Sequence, residues 1–243
     1  MLSILISVCL AGWQDDAAAS TAAAAVASPE LVTEVASWQP ATTRSGHFRF
    51  LGEHSHDPRL TPLMLHRLAT GDDSEAVRVA IVEAVARQKG EGAVDALHEL
   101  ALSDHHAAVR AVAVESLRKV GGDLETTTAA ALGDPAWNVR ESAARSVAWA
   151  DLPSLSGELV TLLDDPAPEV RAAAARSLGT LRQAETFTAL LPLLDDTDPY
   201  VRLQALHALE RVDADEAARL SQLSGLADDP DPKVARAATA LIR

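Results

Sequence analysis

Residues 162–179 read LLDDPAPEVRAAAARSLG. Two leucines end an apolar stretch, an acidic turn with two prolines follows, and Val170–Arg171 opens an alanine-rich run. Pro168 fits the first turn of a helix, where its missing N–H does no harm. Alanine is the strongest helix former, so 168–179 reads as a second helix after the turn. Asp165 and Arg171 stand six residues apart, and this frame recurs. DDSEAVR (72–78), DHHAAVR (104–110), DPAWNVR (134–140), DPAPEVR (165–171), DTDPYVR (196–202) and DPDPKVA (229–235) align on it, with arginines or their equivalents about 30–33 residues apart. That period is the mark of a helical repeat array. The last segment keeps Val234 but has Ala235 in the arginine position. A weaker unit lies upstream: RSGHFRFLG (44–52) aligns with RAAAARSLG (171–179), although Trp38 stands six residues before Arg44 where an Asp would be.

Apolar residues before the Asp fall at helical spacing, as in Leu155, Leu159, Leu162 and Leu163. After the arginine, small or apolar residues recur at the third and seventh positions, one helix face: Ala113 and Leu117, Ala143 and Val147, Ala174 and Leu178, Ala205 and Leu209. The expected helix pairs are 29–38 with 43–53, 60–69 with 74–88, 91–102 with 106–119, 123–132 with 136–149, 153–163 with 167–182, 184–194 with 198–211, and 214–227 with 231–242. Pairs this short cannot bury their apolar stripes alone, so they must stack. The expectation is an all-α, right-handed α-solenoid of about seven pairs over 29–243.

The Asp-x5-Arg frame with Val before the Arg, inside a helix–turn–helix unit, resembles HEAT repeats. The period and the wording of 162–179 resemble the short HEAT-like variety of the phycobilisome lyases. The resemblance implies an α-solenoid and leaves function open, because such repeats serve many unrelated roles. It also raises enzymes. Deoxyhypusine hydroxylases carry His–Glu pairs directly after the repeat arginine. Here those positions hold Val79–Ala80, Ala111–Val112, Glu141–Ser142, Ala172–Ala173 and Leu203–Gln204, and the lone His–Glu pair, His98–Glu99, falls in a first helix. No residue set defines a bilin site, and no Gly-rich phosphate loop, G-x-S-x-G elbow or HExxH is present.

Composition agrees with the repeat reading. The chain has 243 residues, 48 of them alanine, with 48% hydrophobic but only 3% aromatic content. A β-sheet core would want the β-branched and aromatic residues that are scarce here. A net charge of −14 opposes a phosphate-binding surface, so nucleic acid is not an expected partner. One cysteine, Cys9, excludes an internal disulfide and a multi-cysteine metal site.

Residues 2–13, LSILISVCLAGW, are apolar and uncharged, too short for a transmembrane span and suited to a signal-peptide core. Small residues follow, so 1–19 is expected to be a signal peptide and 20–28 a linker, with export to a periplasmic or extracellular compartment. No Lys or Arg precedes the run, and an uncleaved cytoplasmic N-terminus is the alternative.

Three groups of candidate residues remain. The first is the Asp and Arg rows, read as structural. Arg44 has no Asp in its unit and Asp229 has no Arg in its own. Both ends are matched if each arginine reaches the next unit's aspartate: Arg44–Asp72, Arg78–Asp104, Arg110–Asp134, Arg140–Asp165, Arg171–Asp196 and Arg202–Asp229. The second group is Trp137 and Tyr200, in the turns before their Val–Arg pairs, where exposed aromatics would anchor a partner. The third is histidine: His47, His54, His56 and His66 crowd the N-terminal part, and His105–His106 occupies a repeat turn. Imidazoles with a carboxylate suit Zn, Cu or Ni, but the spacing matches no strong metal signature, so no metal or other cofactor is expected. The leading functional expectation is a non-enzymatic scaffold or adaptor. It would bind a protein or peptide, with its acidic turns favouring a basic surface. A metal-dependent protein using the N-terminal histidines, or a lyase-type protein, is the alternative.

Overall fold

The computed structural model describes Thr61, Met64, Leu65, Leu68, Ala69 and residues 74–242. The apolar leader, the linker, the first expected helix pair, Arg44, Asp72 and the histidines His47, His54, His56 and His66 lie outside the described residues. All the regular structure among the described residues is helical, and none of these helices is long and apolar enough to cross a membrane.

The chain divides into two compact units between Gly122 and Asp123. The repeat pattern runs across this boundary without a break. Gly121 and Gly122 immediately precede the boundary, with φ values of 94° and 123°, conformations that other residues rarely adopt. In the first unit, Thr61, Met64, Leu65, Leu68 and Ala69 are helical and precede α1 (Glu75–Gln88), α2 (Ala93–Ser103) and α3 (Ala107–Val120). The second unit holds α4 (Leu124–Leu132), α5 (Trp137–Trp149), α6 (Ser156–Thr161), α7 (Pro168–Leu181), α8 (Phe187–Leu190), α9 (Pro199–Val212), α10 (Ala214–Ala217), α11 (Leu223–Leu226) and α12 (Pro232–Leu241).

Each unit is layered as a solenoid. In the first, α1 and α3 lie side by side and α2 packs on α3. In the second, the helices after each turn stack in series, α5 on α7, α7 on α9 and α9 on α12. The shorter elements before each turn form the other layer. Leu117, Leu178 and Leu209 are all buried. The buried face is wider than the expected stripe. The sixth position after the signature arginine is also enclosed and always small: Ser116, Ser146, Ser177 and Ala208. A helix with a neighbour on either side must hide both flanks, and a small residue there lets the backbones approach. The Ser177 hydroxyl donates to the Ala144 carbonyl across that approach at 2.8 Å. At the next contact Gly179 lies against Ala208 so closely that a β-carbon on it would sit 2.5 Å from the Ala208 α-carbon.

Three expected first helices are broken. Residues 153–164 form a 3-10 turn (Pro153–Leu155), then α6, then a second 3-10 turn (Leu162–Asp164). Residues 184–195 repeat that pattern around α8, with Pro192 in the last turn. The expected helix 214–227 is the two single turns α10 and α11. Pro153 and Pro192 each remove a backbone donor, and short apolar segments take their shape from the layer they pack on.

Candidate functional site

The turns between paired helices carry the Asp and Arg rows. In the first unit the Arg78 Nε donates to Asp104 Oδ2 at 3.0 Å, and a second guanidinium nitrogen donates to the same oxygen. The remaining nitrogen donates to the Leu68 carbonyl at 2.9 Å. In the second unit the geometry repeats. Arg140 donates to both oxygens of Asp165 at 2.7 and 2.9 Å. Arg171 meets Asp196 at 2.7 and 2.8 Å, and Arg202 meets Asp229 at 2.8 and 2.8 Å. Each carboxylate belongs to the repeat after the arginine's own. Arg110 belongs to the first unit and Asp134 to the second.

One further set of bonds has no trace in the sequence. The third guanidinium nitrogen turns back to the main-chain carbonyl of the arginine's own signature aspartate: Arg110 to Asp104 at 2.7 Å, Arg140 to Asp134 at 2.8 Å, Arg171 to Asp165 at 2.8 Å and Arg202 to Asp196 at 2.7 Å. A planar five-donor fork can bind a carboxylate with one side and a turn carbonyl with the other. The Arg140, Arg171 and Arg202 rungs therefore each tie the turn of one repeat to the turn of the next.

The aspartates act differently from helix caps. Asp104, Asp134, Asp165, Asp196 and Asp229 each accept the backbone N–H two residues on, within the turn, at 2.8–2.9 Å. The cap of the following helix is supplied instead by the residue at that second position when it is acidic. Asp198 accepts from Tyr200 and Val201, and Asp231 accepts from Lys233 and Val234.

Charge and burial oppose each other in the rungs, and pairing wins. Burial disfavours the charged forms of Asp165 and Asp196. The hydrogen bonds from Arg140 and Arg171, joined by the Ala167 and Asp198 amides, still hold both carboxyls below the usual carboxylate range. The Arg202 hydrogen bond does the same for Asp229 against its burial. The carboxylate bonds raise Arg140, Arg171 and Arg202 above the ordinary guanidinium value, against the opposing effect of burial.

This pairing alters the acidic edge expected from the sequence. In each Asp–Asp doublet the second carboxylate is taken by an arginine. The exposed charges are the first members, Asp164, Asp195 and Asp228, one per turn in the same register. Trp137 and Tyr200, expected in the turns, instead lie in the first turns of α5 and α9, 49% and 54% exposed. Trp149, at the other end of α5, is 56% exposed. Asp72–Asp73 lies outside the described residues.

Among the described residues one group has metal-ligand chemistry. Asp104, His105 and His106 bring their ligand atoms within 4.8 Å of one another. Each imidazole Nδ1 lies 3.8 Å from Asp104 Oδ1, and the rings stand 4.0 Å apart. The carboxylate already faces Arg78, whose charge weakens its pull on a cation. A cleft of about 380 Å³ opens beside it, lined by Leu65, Leu68, Arg78, Glu99, Leu100 and His105 among others. His98 and Glu99 lie in α2, away from any repeat arginine's following positions.

Comparison with known proteins gives a consistent picture. Residues 43–118, 61–148 and 155–243 match the family described as HEAT repeats. No curated protein matches the sequence. Among solved structures, YibA of E. coli is 20% identical, with coverage of 88% of this chain and 82% of that one and a TM-score of 0.64. The complex of CpcE and CpcF of phycocyanin lyase from Nostoc sp. PCC7120 is 19% identical, covers 75% of both chains and has a TM-score of 0.56. A designed armadillo repeat protein is 21% identical over 75% of this chain and 98% of that one, with a TM-score of 0.50. These likenesses carry the α-solenoid fold and no activity.

Proposed function

The chain belongs to the HEAT-repeat family, and from that premise we propose that it is a non-enzymatic scaffold that binds a protein or peptide through its turn edge. The observation that carries this reading is the in-register row of exposed Asp164, Asp195 and Asp228 with the half-exposed Trp137 and Tyr200 set among them. Carboxylates give the edge its charge preference and approach rate, and an aromatic gives it a desolvated anchor. The rungs beneath hold the row rigid, so little ordering is left to binding. The partner suited to it is a basic surface. Export of the chain, as expected from its first residues, belongs to the same proposal.

The test is affinity capture with wild-type chain beside Trp137→Ala and Tyr200→Ala variants, followed by titration of the captured partner. The reading expects at least one partner lost on Trp137→Ala, with association slowed as salt rises to physiological strength. A partner held equally by both variants and indifferent to salt would overturn it.

A second reading, metal binding, has the Asp104–His105–His106 group in its favour. Zinc titration of the full chain separates the two. Stoichiometric uptake lost on His106→Ala supports the metal reading, and sub-stoichiometric uptake removes it.

A further inference from the structure

The stacked helices of the second unit present a charge opposite to that of the turns. Counting from each signature position, the first, fifth and ninth residues lie four apart and share one helix face. In α5 these are Glu141, Arg145 and Trp149. The fifth residue of α7 is Arg176, the ninth of α9 is Arg211, and the first of α12 is Arg236. Trp149 and all four of these arginines are exposed. Arg145 lies 3.4 Å from Glu141 in a surface pair. Arg176, Arg211 and Arg236 have no ion pair or hydrogen-bond partner for their side chains among the described residues. In a chain of net charge −14, these four arginines and Lys233 on adjacent helices stand against Glu141, Glu169 and Glu210, a local excess of positive charge.

We propose that this arginine face of α5, α7, α9 and α12 binds an extended acidic polypeptide segment. The partner's chemistry follows from three features. Guanidinium groups without partners present paired donors that match a carboxylate's two oxygens. Packed helix axes stand about 8–10 Å apart, and a polyproline II segment brings every third residue to one side at intervals of about 9 Å. A carboxylate at every third position therefore keeps step with successive helices, where Arg145 and Arg176 share one register. Trp149, one turn from Arg145, offers the flat apolar surface on which a proline ring of such a segment packs. The net negative charge of the whole chain repels a long polyanion while leaving a short acidic segment able to reach the local patch. This face is separate from the turn edge, and the inference stands or falls without it.

The probe is a fluorescein-labelled peptide of Glu-Pro-Pro repeats, followed by fluorescence anisotropy with the full chain. Saturable binding is expected, absent for the matching Lys-Pro-Pro peptide. Reversing two contacts, Arg176→Glu with Arg211→Glu, should weaken it by about tenfold or more, and the Gln pair by less. Arg219→Glu makes the same charge change at an exposed arginine off this face and should leave the affinity within about twofold. Circular dichroism melts of the Gln pair, which adds no charge, show whether the fold is kept. Absence of saturable binding overturns the proposal, as does equal loss on Arg219→Glu or unchanged affinity in the Arg176/Arg211 variants. An oligothymidylate of equal charge binding more tightly and lost on the same variants would assign the face to nucleic acid instead and also overturn it.

Discussion

Replacing Gly179 with alanine sets two physical effects against each other. Helix propensity favours the change, since Gly is worse than Ala by about 1 kcal/mol inside a helix. Packing opposes it. The new β-carbon would meet the Ala208 α-carbon at 2.5 Å, its β-carbon at 2.8 Å and its carbonyl oxygen at 3.3 Å. Two of these atoms are main chain, so no side-chain rotation relieves the contact. Restoring an ordinary separation needs α7 and α9 to part by about 1 Å, which forfeits a quarter to a half of the dispersion energy at each contact between them. Overpacking of this kind costs about 1–3 kcal/mol, and a main-chain obstacle belongs at the upper end. The net expectation is destabilisation by about 2 kcal/mol, measured as a lower urea midpoint with an unchanged slope. Gly157 supplies the internal control. It is exposed in α6 with nothing within 4 Å of a β-carbon, so Gly157→Ala should stabilise by up to about 1 kcal/mol. If Gly179→Ala matches or exceeds the wild-type midpoint, the close approach of α7 to α9 is not what holds that interface.

Arg171→Ala should destabilise by about 3 kcal/mol in the same assay, because it strands the largely enclosed Asp196 carboxylate and leaves the Asp165 carbonyl without its donor; recovery of full stability in Arg171→Lys would count against the two-sided fork. The depressed pKa values of Asp165, Asp196 and Asp229 give the pH dependence its sign. Their contribution is complete above the unfolded carboxylate value of about 4 and is lost as pH falls through the lower folded values. The urea midpoint of the wild type should therefore drop below about pH 4, and its advantage over Asp196→Asn should shrink there. An advantage that stays constant down to pH 2 would refute the linkage. Arg182 follows α7 with φ of 54°, a left-handed C-terminal position suited to glycine, so Arg182→Gly should raise the midpoint by about 1 kcal/mol in stability.

What the sequence revealed was whatever repeats in residue identity. The Asp-x5-Arg frame exposed the fold, and its two unmatched ends pointed to pairing between repeats rather than within them. The second half of each fork was hidden because its acceptor is a backbone carbonyl, which every residue possesses. The breaks around α6 and α8 were hidden for a related reason. Leu155, Leu159, Leu162 and Leu163 satisfy a helical period, and only packing turns the ends of that segment into 3-10 geometry. The arginine face escaped notice because Arg145 and Arg176 share a repeat position while Arg211 and Arg236 reach the same face from a turn above and below. A position-by-position alignment does not gather such residues, whereas helix stacking does.

The rungs also bear on how such a chain can change length. Donor and acceptor of every rung sit one repeat apart, so the bonding scheme has no fixed number of members. Excising residues 165–195 would place Asp196 directly after Asp164, in the register that Asp165 now holds. Arg140 would then face the Asp196 carboxylate and no charge would be orphaned. A deletion of half that size would leave one guanidinium and one carboxylate unmatched inside the stack. Duplication or loss of whole 31-residue modules is therefore the mode of variation this architecture tolerates.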